Sequence, residues 1–317
     1  MKCLVTGGAG FIGSHLAQAL CERGARVVVL DNLSAGSLDN LQWTTDRHQL
    51  EFIQGDVNDD SLLRQCVSGC DWVFHEAAIA SVPRSIAAPL ESNRDNLEAA
   101  LRLMVIARDA GVKRFLFASS SAIYGDGGAQ PKRESMEPDP ISPYALQKYA
   151  AEKYAQMFHR LYGLETVSLR YFNVFGPRQS FDSPYSGVIA RFCTAMLRRQ
   201  PPTVFGDGLQ SRDFVYIDNV VQANLQAAEA SADQVAGRFF NIAGGASVTL
   251  LDLIQAVNLF TQQSLPAQFL PARPGDVRYS AADISAARQA FGYAPQVNWQ
   301  DGLRETLRFY APSPSVP

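Results

Sequence analysis

Two side chains four positions apart, Tyr144 and Lys148, have the types and the spacing needed for proton transfer. Residues four apart lie on one face of a helix, so the lysine ammonium can stand near the tyrosine phenol. A tyrosine has a reference pKa of about 10 and is protonated at neutral pH. Moving that pKa to about 7 takes about 4 kcal/mol of preference for the phenolate, which the lysine and a second nearby cation can supply together. The pair therefore indicates a general base.

A second pair, Tyr149 and Lys153, has the same spacing. At about 100° per residue, a pair five residues further on points about 140° away from the first, so only one pair can face a common site. Ser142 and Pro143 are typical of a helix N-cap and first helical position, which places the first pair at the start of the helix. Because a helix start lies closer to the ends of the neighbouring strands, we choose the first pair.

A glycine-rich turn lies between the apolar run Cys3-Leu4-Val5 and an amphipathic stretch from Phe11 to Cys21. Two registers fit, one as G-x-G-x-x-G and one as G-x-x-G-x-x-G: Gly8/Gly10/Gly13 and Gly7/Gly10/Gly13. In a strand, turn and helix of this kind, phosphates approach bare backbone and the uncapped helix N-terminus. The turn therefore predicts a pyrophosphate site.

A carboxylate follows the second apolar run at the distance expected for a dinucleotide. Residues 26–30 form that run, and Asp31 comes about 20 residues after the turn, where it can accept hydrogen bonds from the adenosine ribose. Asn32 and Leu33 follow, with no arginine to receive a 2′-phosphate. The predicted cofactor is NAD rather than NADP.

The bulk properties narrow the class of protein. The chain has 317 residues, 47% of them hydrophobic, and a net charge of −3, so we expect a large core and no nucleic-acid partner. The sequence contains no apolar run of about 18 residues, so it predicts no membrane span, and the expected location is cytoplasmic. The five cysteines are interpreted as reduced core residues, and the four histidines lack metal-ligand spacing, so no metal site is expected.

Strand-like and helix-like segments alternate through the first half of the chain. The strands are expected near 51–54, 71–75, 113–118 and 166–170, and the helices near 59–68, 90–110 and 142–161. Such alternation predicts an α/β fold with a doubly wound parallel (Rossmann) sheet, in which ligands bind beyond the strand ends, where Ser120 lies. After Arg170 prolines and glycines become frequent, which predicts a smaller mixed α/β substrate-binding lobe. The expected division is residues 1–172 plus 213–242 for the dinucleotide-binding domain and 173–212 plus 243–317 for the lobe.

Several motifs together resemble the extended short-chain dehydrogenase/reductase family, and within it the UDP-hexose 4-epimerases. They cover the chain from Lys2 to about Phe309, and they are the glycine turn, Asp31, Gly55-Asp56-Val57, His75-Glu76-Ala77-Ala78, Ser119 to Gly125, Tyr144 with Lys148, Leu169 to Pro177, Ser211-Arg212-Asp213-Phe214 and Gly275-Asp276-Val277. The resemblance implies that NAD takes a hydride from carbon 4 of the sugar while Tyr144 removes the hydroxyl proton. Ser120 would hydrogen-bond the same oxygen, and the 4-keto sugar would turn over and receive the hydride on its other face.

The resemblance also implies site residues. The catalytic set is Ser120, Tyr144 and Lys148. The NAD contacts are expected at Gly7, Gly10, Phe11, Ile12, Gly13, Asp31, Asn32, Asp56, Val57, Ala77, Ala78, Asn96, Tyr144, Lys148 and Tyr171. The UDP-sugar contacts are expected at Ser120, Ser121, Asn173, Val188, Phe205, Arg212, Arg273, Asp276 and Ser280. Arginine suits a diphosphate because its planar fork makes bidentate bonds. The helices near 90–110 and 142–161 match those that pair in homodimers of relatives.

The sequence disfavours some related activities of the family and leaves others as alternatives. Dehydratases and decarboxylases of this kind carry a carboxylate directly after the catalytic hydroxyl, where this chain has Ser121 and Ala122, so both activities are disfavoured. UDP-glucuronate 4-epimerisation and other nucleotide-sugar epimerisations stay as alternatives. A catalytically silent NAD-binding sensor is the alternative from a different class, because a fold alone does not imply activity.

Ser280 bears on the size of the substrate. The alignment with the family places it at a wall beside carbon 2 of the sugar, where epimerases restricted to plain hexoses resemble one another in carrying a tyrosine. Relatives that accept 2-acetamido sugars carry a small residue there, and residues 81–86 resemble that subgroup as well. The favoured substrates are UDP-N-acetylglucosamine and UDP-N-acetylgalactosamine, with UDP-glucose and UDP-galactose also accepted.

Overall fold

The structure is a computed structural model that describes residues 1–44, 46, 48–180, 187–272 and 278–311. Its strands are β1 (Lys2–Thr6), β2 (Arg26–Asp31), β3 (Leu50–Gln54), β4 (Trp72–His75), β5 (Arg114–Ser120), β6 (Glu165–Tyr171), β7 (Asn173–Phe175), β8 (Thr203–Phe205), β9 (Ser211–Tyr216), β10 (Arg238–Ile242), β11 (Ser247–Thr249), β12 (Gln268–Leu270) and β13 (Tyr279–Ser280). Its α-helices are α1 (Phe11–Glu22), α2 (Asp60–Val67), α3 (Val82–Ala87), α4 (Pro89–Asn93), α5 (Ala99–Asp109), α6 (Pro143–Tyr162), α7 (Val188–Leu197), α8 (Ile217–Glu229), α9 (Ala232–Val235), α10 (Leu250–Thr261), α11 (Ser285–Phe291) and α12 (Trp299–Tyr310).

A seven-stranded parallel sheet forms the centre of the described chain, in the order β10-β6-β5-β4-β1-β2-β3. Successive strand residues point to opposite faces, so Cys3 and Val5 belong to one core and Leu4 to another. Leu16 of α1 shares the first core, and Leu103 of α5 shares the second. Helices on both faces confirm the doubly wound sheet predicted from the sequence.

The sheet order reverses between β1 and β4, and this position determines where a ligand can bind. Connections from the two strands leave toward opposite sides, so a crevice opens at their C-terminal ends. The glycine turn follows β1, and the loop of residues 76–81 follows β4. Both motifs therefore border the same crevice.

The helix expected over residues 90–110 is interrupted. It consists of α4, a π-helical turn over Arg94–Glu98, and α5. The wider turn contains Asn96, whose buried side chain bonds to groups outside its own helix. Isolated π turns often occur at functional sites, and here the turn faces the loop after β4. The strand expected to end at residue 118 also continues to Ser120.

The smaller part is built on short strands. β9 pairs with β7 and β13 in parallel and with β11 antiparallel, and β8 pairs with β12. This mixed arrangement confirms the smaller α/β lobe expected after Arg170. A search of the described residues for a membrane span found no helix that combines sufficient length with sufficient apolarity.

Candidate active site

The glycine turn lies in contact with the loop after β4. Gly7 has a φ of +67°, and a Cβ on it would lie 2.7 Å from the backbone nitrogen of Ala77. A Cβ on Gly13 would overlap the carbonyl oxygen of Gly7. Among the described residues, a Cβ on Gly10 would meet only that oxygen, at 3.1 Å. Gly7 and Gly13 are therefore required for close packing, whereas Gly10 keeps space open at the start of α1.

The N-terminus of α1 fits an anion. Gly10 is the N-cap residue, no hydrogen bond from a side chain caps the helix, and its first turn contains no acidic residue. The amides of this turn, which includes Phe11, Ile12 and Gly13, and the positive end of the helix dipole point to the crevice. This geometry fits the pyrophosphate of a dinucleotide.

Asp31 ends β2 beside the same turn. Its carboxylate accepts hydrogen bonds from the backbone N–H of Ala9 at 3.0 Å and of Leu33 at 2.8 Å. These bonds hold the carboxylate at the C-terminal edge of the sheet, at the place where the sequence predicts the adenosine ribose. The residues present fit an NAD-type dinucleotide.

Asp56 lies one strand further along the same edge. It accepts hydrogen bonds from the side chain of Asn32 at 3.1 Å and from the backbone and side chain of Asn58, both at 2.8 Å. Burial alone would raise the pKa of Asp56, but these hydrogen bonds outweigh it and hold the pKa below its usual value. Asp56 is therefore ionised at neutral pH, and the half-buried Val57 follows it.

The loop after β4 is held in place by a buried amide. Asn96 accepts from the backbone N–H of Ile79 at 2.7 Å and donates to the side-chain oxygen of Gln147 in α6 at 3.0 Å. Ala77 and Ala78 lie half-buried directly before Ile79. The residue predicted to contact NAD thus also anchors the loop that lines the crevice.

Ser120, Tyr144 and Lys148 meet beyond the C-terminal end of β5. The Ser120 hydroxyl neighbours the Tyr144 phenol and acts to lower its pKa. Lys148, one turn further along α6, is only 2% exposed, and its Nζ donates to the carbonyl oxygen of Ala118 at 2.8 Å. The geometry thus brings together the three residues that the sequence predicts to be catalytic, and Ser121 begins the 3-10 turn that follows.

Local sequence places Tyr144 at the start of its helix. The Ser142 side chain caps α6 by accepting from the N–H of Ala145 at 3.2 Å, and Pro143 occupies the first turn. The Tyr144 N–H donates to the Ser85 hydroxyl of α3 at 3.1 Å. The N-cap and first helical position are those predicted from the sequence.

The second tyrosine–lysine pair lies on a different side of α6. Lys153 is exposed, and its Nζ lies 5.2 Å from the centre of the Tyr149 ring and 5.7 Å from that of Phe239. The two pairs lie on different sides of α6 because the helix rotates between them.

Burial controls the charges at the site. It raises the pKa of Tyr144, although the neighbouring Ser120 hydroxyl opposes the shift. Burial lowers the pKa of Lys148 to about 8, against the opposing effect of the Glu76 carboxylate. Without a ligand, Tyr144 is therefore protonated at neutral pH, and a general base at this position needs further stabilisation of its phenolate.

Glu76 is a site residue that the sequence reasoning missed. It follows β4 directly, and its carboxylate accepts from the Tyr171 phenol at 2.9 Å. Tyr171 in turn accepts from the side-chain amide of Asn224 at 2.8 Å. Burial raises the pKa of Glu76 to about 7, against the opposing effects of Tyr171 and Lys148. Its place directly after a strand of the sheet was the available signal.

A buried ion pair fixes α6 to the sheet behind the site. Arg170 of β6 donates to the Glu152 carboxylate at 2.6 and 2.9 Å, and Ser119 donates to it at 2.8 Å. Glu152 and Arg170 are almost completely buried. Glu152 follows Lys148 by one turn of the helix, so the ion pair fixes the face that carries the proposed catalytic groups.

The predicted UDP-sugar contacts lie mainly around β9. Arg212 lies in β9 and donates to the carbonyl oxygen of Ser211 at 2.9 Å, and Ser280 of β13 is its partner in the parallel register. Asn173 of β7 donates to the carbonyl oxygen of Asp213 at 3.2 Å. Val188 begins α7 and Phe205 ends β8, while Arg273 and Asp276 lie outside the described residues.

Comparison with known sequences gives a family match over most of the chain. A profile of the NAD dependent epimerase/dehydratase family matches residues 3–243. A UDP-glucose 4-epimerase of Mycolicibacterium smegmatis is 36% identical over 312 residues, which cover 98% of this chain and 98% of that protein.

Comparison with solved structures gives matches over nearly the whole chain. One match is a UDP-N-acetylglucosamine 4-epimerase from Methanobrevibacter ruminantium in complex with UDP-N-acetylmuramic acid, with a TM-score of 0.93 and 40% identity, covering 98% of this chain and 97% of that chain. Another is a UDP-glucose 4-epimerase from Thermotoga maritima with UDP-glucose, with a TM-score of 0.92 and 39% identity, covering 98% of both chains.

Proposed function

Because the chain belongs to the NAD dependent epimerase/dehydratase family, we propose that it interconverts UDP-N-acetylglucosamine and UDP-N-acetylgalactosamine at carbon 4 of the sugar. UDP-glucose and UDP-galactose are proposed as further substrates. The general activity is that of a UDP-sugar 4-epimerase, and NAD is the cofactor. The observation that carries the proposal is that Ser120, Tyr144 and the buried Lys148 lie together at the crevice bordered by the glycine turn.

In the proposed mechanism, Tyr144 accepts the proton of the 4-hydroxyl group and later returns it. NAD, when bound, would supply the hydride acceptor and a positive charge. Ser120 hydrogen-bonds the reacting oxygen, which orients it toward Tyr144, and Lys148 adds a second positive charge. Since the pKa of Tyr144 is raised in the ligand-free chain, these charges must together favour the phenolate by more than about 4 kcal/mol.

The proposed cofactor contacts follow from the crevice. The pyrophosphate would lie over the first turn of α1, beside Gly10, and the adenosine ribose would bind Asp31. The chain has Asn32 and Leu33 after Asp31, and neither side chain carries a positive charge for a 2′-phosphate. These residues support NAD over NADP.

The proposed substrate preference depends on Ser280. Its register partner in β9 is Arg212, which we assign to the diphosphate of the substrate. A small side chain at Ser280 leaves room for an acetamido group on carbon 2 of the sugar. At the positions after Ser120, Ser121 and Ala122 provide no carboxylate for elimination or decarboxylation. The small Ser280 side chain supports a site that accepts the larger sugars, and the absence of a carboxylate after Ser120 supports an epimerase.

Product analysis tests the proposal. Purified protein is incubated separately with UDP-N-acetylglucosamine, UDP-glucose and UDP-glucuronate, and the epimers are separated by chromatography. We expect conversion of the first two. Conversion of UDP-glucuronate alone would replace the proposed substrate, and binding of NAD with no conversion of any sugar would indicate a silent sensor.

We also propose the division into a dinucleotide-binding domain, residues 1–172 plus 213–242, and a substrate-binding lobe, residues 173–212 plus 243–317. The seven strands of the central sheet fall in the first, and β7, β8, β11, β12 and β13 fall in the second. Among the described strands, β9 pairs only with those of the lobe, so the boundary at residue 213 cuts through it. Limited proteolysis at 173–212 tests the division.

A homodimer built from α5 and α6 is proposed on the basis of apolar side chains exposed on α6. They are Leu146, Tyr154, Met157, Leu161 and Tyr162. An exposed apolar helix face of this kind is a typical interaction surface. Light scattering should give twice the chain mass, and a monomer would contradict the proposal.

A cytoplasmic location is proposed as well, supported by five free and buried cysteines, and cell fractionation tests it.

A further inference from the structure

The segment of residues 279–283, which carries Ser280, is hydrogen-bonded to a loop on the side opposite β9. We call this segment the wall, and the contacts that residues 130–133 make with it the brace. On one side, β13 pairs with β9. On the other side, the loop that follows the 3-10 turn Ser121–Tyr124 runs alongside it, with Lys132 bridged to Ala282. The Lys132 N–H donates to the carbonyl oxygen of Ala281 at 2.8 Å, and the Asp283 N–H donates to that of Lys132 at 2.9 Å. The proposed sugar wall, residues 279–283, therefore lies between β9 and this loop.

Gln130 adds two side-chain hydrogen bonds to this brace, one on each side of Ser280. Its Nε2 donates to the carbonyl oxygen of Tyr279 at 3.0 Å, and its Oε1 accepts from the N–H of Ala281 at 3.1 Å. A side-chain amide bonded in this way replaces a neighbouring strand, because it satisfies one acceptor and one donor of the segment's backbone. The bonds hold the backbone of Ser280 from both sides.

A buried amide connects the brace to the 3-10 turn that follows Ser120. Asn241 of β10 accepts from the Tyr124 phenol at 2.7 Å and donates to the carbonyl oxygens of Lys132 at 3.0 Å and Asp283 at 3.2 Å. Tyr124 ends the turn that begins directly after Ser120. Asn241 therefore links the wall to the turn that directly follows the proposed catalytic hydroxyl.

The residues of the brace differ in how much their contacts contribute to stability. Arg133 and Asp283 form an ion pair at 3.2 Å, but Arg133 is 60% exposed, and exposed ion pairs contribute little. Asn241 is completely buried, so its loss would disturb the fold as well as the wall. Gln130 is exposed, and within the described part of the chain its side-chain hydrogen bonds go to Tyr279 and Ala281, so its replacement changes the wall selectively.

We propose that Gln130 is a specificity-positioning residue, whose side-chain amide fixes the backbone on both sides of Ser280 and thereby the space beside carbon 2 of the sugar. The inference rests on the proposed function, because it assigns Ser280 to the sugar wall. It adds a residue outside the wall that controls which UDP-sugar the wall accepts.

The first measurement is backbone amide exchange in the NAD-loaded protein without sugar. Gln130→Ala removes the acceptor of the Ala281 N–H, so exchange at this amide should become about tenfold faster, as expected for loss of one hydrogen bond. The Asp283 N–H, which is bonded to Lys132, serves as the internal reference. The matched control is Gln289→Ala, because Gln289 is exposed on α11. An unchanged Ala281 amide overturns the bracing.

The second measurement is the ratio of kcat/KM for UDP-N-acetylglucosamine and UDP-glucose. Gln130→Ala should lower the ratio about three- to tenfold, through KM, because only the acetamido group reaches the wall, while kcat on UDP-glucose stays within about twofold. Equal losses on both sugars in an active protein overturn the specificity role alone. A wild-type protein inert toward both sugars overturns the proposed function and the inference with it.

Discussion

The Lys148 ammonium is buried, and replacing it by methionine should stabilise the ligand-free protein. Burial lowers the pKa of Lys148 from 10.5 to about 8, and one pKa unit corresponds to 1.36 kcal/mol, so the folded chain carries this charge at a cost of about 3 kcal/mol. Methionine has a similar length and no charge. It loses the hydrogen bond to Ala118, a net loss of about 1 kcal/mol. The Lys148→Met variant should therefore gain about 2 kcal/mol at pH 7, or about 4 °C in Tm.

The pH dependence identifies the cause of this gain. The lowered pKa of Lys148 means that the folded chain releases its proton before the unfolded chain does. The destabilisation is fully present below pH 8 and disappears as the pH rises from about 8 to 10.5. The stability difference between variant and wild type should shrink over the same range. Lys153→Met is the matched control, because Lys153 is exposed on the same helix and the substitution removes no buried charge.

Thermal melts of nucleotide-free protein at several pH values measure these differences, and the same variants are assayed for epimerisation. Lys148→Met should lose at least about 10²-fold in kcat while gaining stability, and Lys153→Met should keep its activity. A Lys148→Met protein that is less stable than wild type at pH 7, or a difference that does not vary with pH, would refute the reasoning.

Four further predictions concern single side chains. Tyr144→Phe should bind NAD and sugar but lose at least about 10²-fold in rate, whereas Tyr149→Phe should change little. The reverse result would assign the catalytic role to the second pair. Nucleotide extracted from purified protein should be NAD, because we propose that Asp31 binds the ribose hydroxyls, and mainly NADP would contradict this role. Ser280→Tyr should cost the acetamido substrate about 1–3 kcal/mol, roughly 5- to 150-fold in kcat/KM, and largely spare UDP-glucose; equal losses would remove Ser280 from the argument. Burial raises the pKa of Glu76 from 4.5 to about 7, so the stability it contributes is lost as the pH rises through that range, and Glu76→Gln should flatten the change of Tm between pH 5 and 8; parallel curves would count against it.

The central sheet and its crevice could be predicted because their signals are local. The apolar strands, the glycine turn and the carboxylate at Asp31 follow one another at short spacing, and parallel strands place their C-terminal ends at one edge. Ser142 and Pro143 likewise mark the start of α6 within the sequence itself. These features need no knowledge of distant contacts.

The parts that escaped prediction depend on contacts between distant segments. The π turn at Arg94–Glu98 fits a continuous helix by periodicity, and only the bonds of Asn96 to Ile79 and Gln147 explain it. Glu76 receives its hydrogen bond from a residue of another strand, and a sequence pattern carries no record of that pairing. The division between the two tyrosine–lysine pairs could be worked out only because both lie on one helix.

The ion pair between Glu152 and Arg170 limits how this chain can change during evolution. Replacing either residue alone would leave an unpaired buried charge, at a cost of about 3–5 kcal/mol, which is a large part of the stability of an ordinary domain. Replacing both by apolar residues of similar volume is close to neutral. The two positions are therefore expected to vary together or not at all. The anchor beneath the proposed catalytic helix can therefore change only in a paired step.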